Sequence, residues 1–405
     1  MTEKIGNVTL NYKFYKGTDT YSDGDIEEDI LDIVKKHSAD EMIRVLQEED
    51  RWPILYHLTP VRQNILRWYD FDPQGSVLEI GAGCGAITGI LCERTNRVMA
   101  IDLSKRRSTI NAYRNKDHDN LEIMVGNFED ILIDEKFDYV TLIGVLEYSI
   151  YYINSENPFI DMLKKAKSFL KPGGKLLIAI ENKYGLKYFA GAKEDHTGKN
   201  FDGIEGYRDV EKVRTFSRDT LERMLAEAGF AQNDFYYPMP DYKLPLTIYS
   251  EERQPRKGEL TEQSPSYDQS RMAYFNEVSA FDSICEDGLF RQFANSFLVI
   301  SGTEAYEVKK PAHYTFGEKI MEPEEYSYLK QYEKPVETEA ALREALKKAE
   351  EEIEIKNTHI ANLNESVRIQ GEYITKVRKA MKNPGYALSL AGKKVARKFK
   401  KQTGE

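Results

Sequence analysis

The stretch Val77-Leu78-Glu79-Ile80-Gly81-Ala82-Gly83-Cys84-Gly85-Ala86 decides the fold of this 405-residue chain. Its first four residues form an apolar run with the length and branching of a buried strand. Three glycines at alternate positions follow, and a helix then begins near Ala86. Glycine permits a sharp turn and a close approach to a ligand, and the N–H groups at a helix start attract polar or anionic ligand atoms. The stretch therefore predicts a strand, a glycine loop and a helix that together hold a ligand.

The rest of the central region alternates predicted strands with predicted helices, which is typical of a parallel sheet covered on both faces. The predicted strands after the first are residues 97–101, 121–125, 137–143, 175–180, 235–240 and 296–300. The last two are expected to be a closing antiparallel pair. The spacing Gly81-x-Gly83-x-x-Ala86 also satisfies a loose dinucleotide fingerprint, so the loop alone leaves two classes of cofactor open.

Five motifs in order narrow that choice. They are VLEIGAGCG, the acidic Asp102, GNFED at 126–130, FDYVTLIGVLEY at 137–148 and LKPGGKLLIAIEN at 170–182. This order resembles the class I S-adenosylmethionine-dependent methyltransferases over residues 71–302, whereas LKPGG and VLEY have no role in a nicotinamide site. The resemblance implies an α/β fold with a Rossmann-like seven-stranded sheet whose last strand is antiparallel, an N-terminal helical cap and S-adenosylmethionine as cofactor.

The resemblance also implies roles for individual cofactor-binding residues. The glycine loop would surround the methionine part of the cofactor, Asp102 would hold the ribose, Asn127 and Phe128 the adenine, and Gly144 would lie near the methyl group. The cofactor-binding residues expected on this basis are Glu79, Gly81, Gly83, Gly85, Asp102, Asn127, Phe128 and Gly144.

Methyl transfer from a sulfonium is a displacement, and a hydroxyl acceptor needs a base. Three candidates for the base remain open: His196 in the loop after the fifth strand, Glu147 after the fourth strand and Glu181 at the end of the fifth. Metal-assisted catechol-type relatives carry an acid at the end of strand four and Asp-Asn at strand five. Glu181-Asn182 resembles the second feature, but Ile143-Gly144 lacks the first, so no metal is expected.

Aromatic residues and a long loop are predicted beside the cofactor. Tyr148, Tyr152 and Tyr184 are expected to bind the acceptor, because flat amphipathic rings suit sugars or aromatic compounds. The glycine-rich loop at 185–203 favours a lid. A helical insertion at about 250–294 is expected to tailor the choice of acceptor.

The chain is expected to have five parts: a cap segment at 1–70, the methyltransferase-like domain at 71–302, a linker at 303–335, a coiled coil at 336–380 and a basic amphipathic tail at 381–405. Heptad spacing supports the coil. Nine of the eleven spaced positions are apolar or alanine, namely all except Lys356 and Gln370 in the series Leu342, Leu346, Ala349, Ile353, Lys356, Ile360, Leu363, Val367, Gln370, Ile374 and Val377. A helix with such a stripe predicts a homo-oligomer.

The charge distribution separates the tail from the body. Nine Lys or Arg residues and no acid lie between Arg378 and Lys401, while the whole chain carries −10. A body this acidic opposes nucleic acid, whereas residues 384–401 read as a helix on an anionic membrane surface. Three scattered cysteines and the absence of a signal pattern predict a cytoplasmic protein, and the basic tail predicts a peripheral position at the inner face of the plasma membrane.

These parts in this order are similar to bacterial methyltransferases of surface-polysaccharide synthesis. That similarity implies O-methylation of a sugar in a cell-surface glycan or its lipid-linked precursor at the cytoplasmic membrane face. Two alternatives stay open: a small-molecule methyltransferase whose coil only oligomerises it, and a coiled-coil scaffold for a glycosyltransferase complex.

Overall fold

The computed structural model describes residues 1–17, 19, 24–208, 213–265, 267, 271–308 and 314–315, with scattered residues between 347 and 382. The chain divides into two units, Met1–Ile320 and Met321–Glu405.

A single mixed sheet carries the first unit. Its strands are β1 (Thr2–Ile5), β2 (Val8–Phe14), β3 (Ser76–Ile80), β4 (Arg97–Asp102), β5 (Leu121–Gly126), β6 (Phe137–Ile143), β7 (Leu170–Glu181), β8 (Gln232–Met239), β9 (Thr247–Ser250), β10 (Ser296–Gly302) and β11 (Tyr314–Thr315). Their order across the sheet is β1-β2-β5-β4-β3-β6-β7-β10-β8-β9-β11.

The seven strands expected from the sequence form the centre of this sheet, but seven is too few for the whole. Strands β2 to β7 pair in parallel, and β10 lies antiparallel between β7 and β8. The described sheet has eleven strands, because β1 and β2 extend one edge and β9 and β11 extend the other. The cap segment therefore contributes strands as well as helices.

Helices cover both faces of the sheet. They are α1 (Ile26–Lys36), α2 (Ala39–Gln47), α3 (Trp52–Leu58), α4 (Asn64–Arg67), α5 (Thr88–Arg94), α6 (Lys105–Arg114), α7 (Ser149–Tyr152), α8 (Pro158–Ser168), α9 (Leu186–Phe189), α10 (Arg218–Glu227), α11 (Glu277–Glu286) and α12 (Phe290–Phe293), with 3-10 turns at Pro60–Gln63 and Leu146–Tyr148. Two of these helices, α11 and α12, lie within the expected insertion at 250–294.

Alternation along the strands builds two cores. In β3, Leu78 and Ile80 join one apolar cluster, while Val77 joins the cluster on the opposite face. Successive side chains of a strand point to opposite faces, so a strand covered on both sides is apolar at nearly every position. The carboxyl ends of β3 to β7 consequently meet at one edge, where a ligand has access to them.

The structure describes only part of the region for which a coiled coil and a basic tail are expected. Every described residue between Lys347 and Lys382 is helical, and Ile353, Val367 and Ile374 of the heptad stripe are exposed. The rest of the coiled-coil range and the tail at 384–401 lie outside the described residues. No helix among those described is long and apolar enough to cross a membrane.

The antiparallel end of the sheet offers a test of the core. Phe297 on β10 is fully buried and contacts the rings of Phe235 and Tyr237, with centroids 5.8 and 6.1 Å away. Replacing Phe297 by Ala is expected to lower the free energy of unfolding by about 3–5 kcal/mol, because the cavity left behind cannot fully close. Urea denaturation measures the loss. Leu132→Ala, at a 79% exposed position, is the control and should change little.

Candidate functional site

A cavity of about 590 Å³ opens at the carboxyl edge of the parallel strands. Its walls come from the cap segment, the glycine loop, the ends of β4, β5 and β6, the loop at 192–196 and the insertion. This volume lies within the range of small-molecule sites.

The glycine loop has a backbone that other residues adopt poorly. Gly81 has φ +73°, and a Cβ there would lie 2.5 Å from the side chain of Val145. Gly83 has φ +54°, and its N–H donates a 2.7 Å hydrogen bond to Oδ2 of Asp102. A side chain would therefore strain the loop at either position. Gly85 lies outside the cavity lining, against Asn111.

Asp102, the last residue of β4, is held in place by the backbone. Its Oδ1 accepts from the N–H of Ser104 at 2.9 Å, while its Oδ2 accepts from Gly83. Burial raises the pKa of Asp102 above its ordinary value, although these bonds and Arg107 act in the opposite direction. Each carboxylate oxygen retains acceptor capacity toward the cavity, which is what ribose hydroxyls need.

The expected adenine and methyl positions also face the cavity. Asn127, Phe128 and Gly144 all line it. The ring of Phe128 is buried, with the ammonium of Lys165 4.7 Å from its centroid. Oδ1 of Asn127 accepts from the N–H of Glu129 at 3.0 Å, so its amide nitrogen is the group left to meet a base edge.

Glu79 lies beneath the loop and outside the cavity lining. It is buried, and Oγ1 of Thr88 donates a 2.6 Å hydrogen bond to its Oε2. Burial raises the pKa of Glu79 to about 8. Glu79 is therefore a neutral support for the glycine loop at physiological pH.

This raised pKa predicts a pH-dependent stability. Between pH 5 and 8 the unfolded chain loses the proton of Glu79 while the folded chain keeps it, so the free energy of unfolding falls by about 1.4 kcal/mol per pH unit from this group. Glu79→Gln removes that slope. Urea titrations of both chains across this range should diverge as the pH rises, and parallel curves would contradict the assignment.

The three candidate bases come together. Glu147, Glu181 and His196 each offer a ligand atom within 4.8 Å of the others. Nε2 of His196 lies 3.7 Å from Oε1 of Glu147, and its Nδ1 lies 3.1 Å from Oε1 of Glu194. We call Glu147, Glu181, His196 and Glu194 the carboxylate–imidazole cluster. Glu147 and His196 line the cavity, and Glu181 lies behind them, fully buried.

The charges of the cluster determine its protonation. Burial lowers the pKa of His196, but Glu181, Glu147 and Glu194 outweigh burial and hold it well above the ordinary value. Burial raises the pKa of Glu147. In the ligand-free protein the imidazole is therefore cationic, and Glu147 is a better candidate for the base than His196.

Two lysines that the sequence analysis missed support the cluster. Nζ of Lys243 lies 2.8 Å from Oε1 of Glu181 and also pairs with Asp195. Nζ of Lys187 lies 2.9 Å from Oδ2 of Asp195 and 3.8 Å from Asp241. Asn182, by contrast, is structural, because its amide donates to the carbonyls of Gln292 and Ala294.

Two of the three tyrosines that are expected to bind the acceptor line the cavity. Tyr148 and Tyr152 line the cavity, whereas Tyr184 lies outside its lining, with the ammonium of Lys183 over its ring at 4.6 Å. The insertion reaches the cavity through Tyr267, whose ring stacks on Trp52 of the cap segment with centroids 4.3 Å apart. Neither residue of this stack was expected, since each lies far from the motifs in sequence.

Arg62 is a further cavity residue that the motifs did not indicate. It lies in the 3-10 turn before α4 and is 7% exposed, and its guanidinium lies 3.8 Å from the ring centroid of Tyr56. Its Nε and Nη1 have no hydrogen-bond partner among the described residues. Two buried guanidinium nitrogens without hydrogen-bond partners are costly, so this side chain suits an anionic group bound beside the glycine loop.

Comparisons with known proteins match this geometry. A family model described as a methyltransferase domain matches residues 56–232. An uncharacterized methyltransferase of Staphylococcus carnosus is 36% identical over 162 residues, which span 37% of this chain and 74% of that protein. The chain belongs to the methyltransferases.

Two more distant similarities concern other methyltransferases. A mitochondrial ubiquinone biosynthesis O-methyltransferase of Dictyostelium discoideum is 30% identical over 128 residues, which span 28% of this chain and 38% of that enzyme. A crystal structure of an S-adenosylmethionine-dependent methyltransferase from Thermotoga maritima is 18% identical, covering 64% of this chain and 97% of its own, with a TM-score of 0.37. The fold assignment rests on the strand order rather than on that score.

S-adenosylmethionine is the cofactor of this methyltransferase, and the cavity fits it. The cofactor supplies an electrophilic methyl group on a sulfonium. In this cavity Asp102 would hold the ribose and Phe128 and Asn127 the adenine, while Nε and Nη1 of Arg62 would suit the carboxylate of the methionine part.

Proposed function

We propose that this methyltransferase O-methylates a sugar of a cell-surface glycan or of its lipid-linked precursor. One observation carries the proposal. Glu147 lines the cavity three residues after Gly144, is 1% exposed, and its Oε2 has no hydrogen-bond partner among the described residues. A buried carboxylate with a raised pKa is a suitable base for a hydroxyl.

The chemistry follows from this placement. The acceptor hydroxyl gives its proton to Oε2 of Glu147 as its oxygen forms a bond to the methyl carbon. The carbon–sulfur bond breaks, and its electron pair stays on sulfur. The tyrosines and the Trp52–Tyr267 stack orient the acceptor for in-line attack, which accounts for a large part of the rate.

The walls of the cavity support a sugar as acceptor. Tyr148, Tyr152 and Tyr267 line it together with carboxylates, a combination that matches a ring with an apolar face and several hydroxyls. The net charge of −10 opposes a nucleic acid as acceptor.

A small aromatic hydroxyl compound is the alternative acceptor. The same aromatic walls would accommodate it, and the Dictyostelium relative carries the name of an O-methyltransferase of ubiquinone biosynthesis. The two acceptor classes are separated by offering both to one preparation.

Assembly and location belong to this proposal. Residues 336–380 would join copies of the chain through the heptad stripe, and residues 384–401 would bring them to an anionic membrane where lipid-linked glycans are assembled. Deleting residues 383–405 is expected to abolish cosedimentation with vesicles containing anionic lipid, and unchanged cosedimentation would exclude the tail as a membrane anchor.

The activity test uses the purified full chain and S-adenosylmethionine labelled in the methyl group. Calorimetry first compares binding of S-adenosylmethionine with that of NAD. Sugar nucleotides, lipid-linked glycans and small phenols are then offered as acceptors. Label in a sugar methyl ether that requires Glu147 supports the proposal, whereas label only in phenols would replace it with the alternative.

A further inference from the structure

The imidazole of His196 has the surroundings of a metal ligand. Its Nδ1 lies 3.1 Å from Oε1 of Glu194, so Nδ1 keeps its proton when a cation displaces the proton of Nε2, and the lone pair of Nε2 then faces Glu147 at 3.7 Å. Histidines that bind metals usually donate their other N–H to a carboxylate in this way.

The gap between His196 and Glu147 is too wide for a hydrogen bond. Nε2 and Oε1 lie 3.7 Å apart, whereas N–H···O bonds are about 2.7–3.2 Å long. Two ligands that share one cation at about 2.1 Å each lie roughly 3.0–3.6 Å apart. The observed separation is therefore close to that of two ligands on one ion.

Unpaired negative charge surrounds this gap. Oε2 of Glu147 and Oε2 of Glu181 have no hydrogen-bond partner among the described residues, and both side chains are at most 1% exposed. The contact network holds five carboxylates, two ammonium groups and one imidazole, with no side chain more than 18% exposed. With all five carboxylates ionised and the imidazole cationic, this network carries a surplus of two negative charges. Charges this deeply buried require a counter-charge.

From these observations we infer that a divalent cation binds between Nε2 of His196, Oε1 of Glu147 and Oε2 of Glu181. This differs from the expectation of no metal, which depended on the residue at the end of β6. The acid is instead supplied by Glu147, in the 3-10 turn that follows β6. His196 comes from the loop at 192–196. The spacing of the motifs does not indicate that this loop approaches Glu147 and Glu181.

The chemical purpose of the cation rests on the proposed function. An acceptor hydroxyl on the ion becomes more acidic, because the cation stabilises the developing alkoxide. Its proton still goes to Oε2 of Glu147, its oxygen still bonds to the methyl carbon, and the ion changes neither charge nor oxidation state. Oxygen-rich ligand sets favour Mg²⁺ or Mn²⁺.

Mn²⁺ binding to the full chain tests the inference without an acceptor. The protein is treated with EDTA, desalted and titrated with MnCl₂ alone, while electron paramagnetic resonance records free Mn²⁺. The unaltered chain is expected to bind one Mn²⁺, and Glu181→Gln and His196→Asn are each expected to weaken binding by about a hundredfold. Asp138→Asn, at the opposite end of β6, should bind normally.

The outcomes separate the two proposals. Failure of the unaltered chain to bind Mn²⁺, or full binding by both variants, would overturn the cation site even if sugars are methylated. Mn²⁺ binding that depends on Glu181 or His196 would support the site even if every sugar is refused. Using two variants covers the case in which one of them does not fold.

Discussion

Replacing Arg62 by Met is expected to weaken S-adenosylmethionine binding by about a hundredfold. The guanidinium is buried, stacked on Tyr56 and without a partner on Nε and Nη1. Charge-assisted hydrogen bonds to a carboxylate contribute about 1.5–3 kcal/mol, and Met keeps the apolar volume while removing the charge. Isothermal calorimetry on the full chain measures the change in Kd.

A cofactor fragment makes this test specific. 5′-Methylthioadenosine has the adenine and ribose but no methionine carboxylate, so its affinity should be equal in the unaltered and Arg62→Met chains. Arg62→Lys should restore only part of the affinity, because an ammonium lacks the planar fork of a guanidinium. Equal losses for both ligands would mean that Arg62 supports the cavity wall rather than the carboxylate.

The centre of the fold could be predicted because its signals are local. The apolar run of β3 and the glycines that follow it specify a strand and a turn within ten residues, and positive φ angles at Gly81 and Gly83 have the same cause. Asp102 was placed correctly at the cavity because it ends the next parallel strand. The carboxyl ends of parallel strands lie at the same edge of the sheet, so a residue that ends such a strand is expected at that edge, beside the cavity.

The extent of the sheet could not be predicted by the same means. Residues 8–15 alternate apolar and polar side chains, which is typical of a strand, and β2 forms there. Its partner is β5, more than a hundred residues later, with Thr9 opposite Glu122. Nothing local distinguishes an edge strand of the main sheet from a separate hairpin, so the cap segment was expected to be helical.

The residues of the cavity walls could also be predicted only in part from the sequence. Glu147 and Glu181 follow neighbouring strands, and their proximity was predictable from that fact. Arg62, Lys243 and Tyr267 reach the site from a 3-10 turn, the segment after β8 and the insertion. Their positions depend on how these segments pack in three dimensions, which the spacing of residues along the sequence does not indicate. Tyr184 was expected beside the acceptor but lies outside the cavity lining, for the same reason.

Replacing Glu147 by Gln is expected to lower kcat by about 10²–10⁴-fold, the usual contribution of a positioned general base. The amide has nearly the same shape but cannot accept the proton that the hydroxyl must lose. The Kd of S-adenosylmethionine should change little, because Glu147 is proposed to contact the acceptor hydroxyl rather than the cofactor. Single-turnover methyl transfer and calorimetry measure the two quantities separately, and Glu156→Gln, an exposed carboxyl-to-amide change nine residues later, is the matched control.

Combining Glu147→Gln with Glu181→Gln distinguishes a cooperative site from two independent carboxylates. If both residues serve one proton transfer through a shared cation, the double variant should lose little more activity than Glu147→Gln alone, since residues acting as a unit are strongly non-additive. Losses that multiply would assign Glu181 a separate role, as the partner of the Lys243 ammonium 2.8 Å away. A kcat unchanged in Glu147→Gln would move the base elsewhere and remove the central argument for a hydroxyl acceptor.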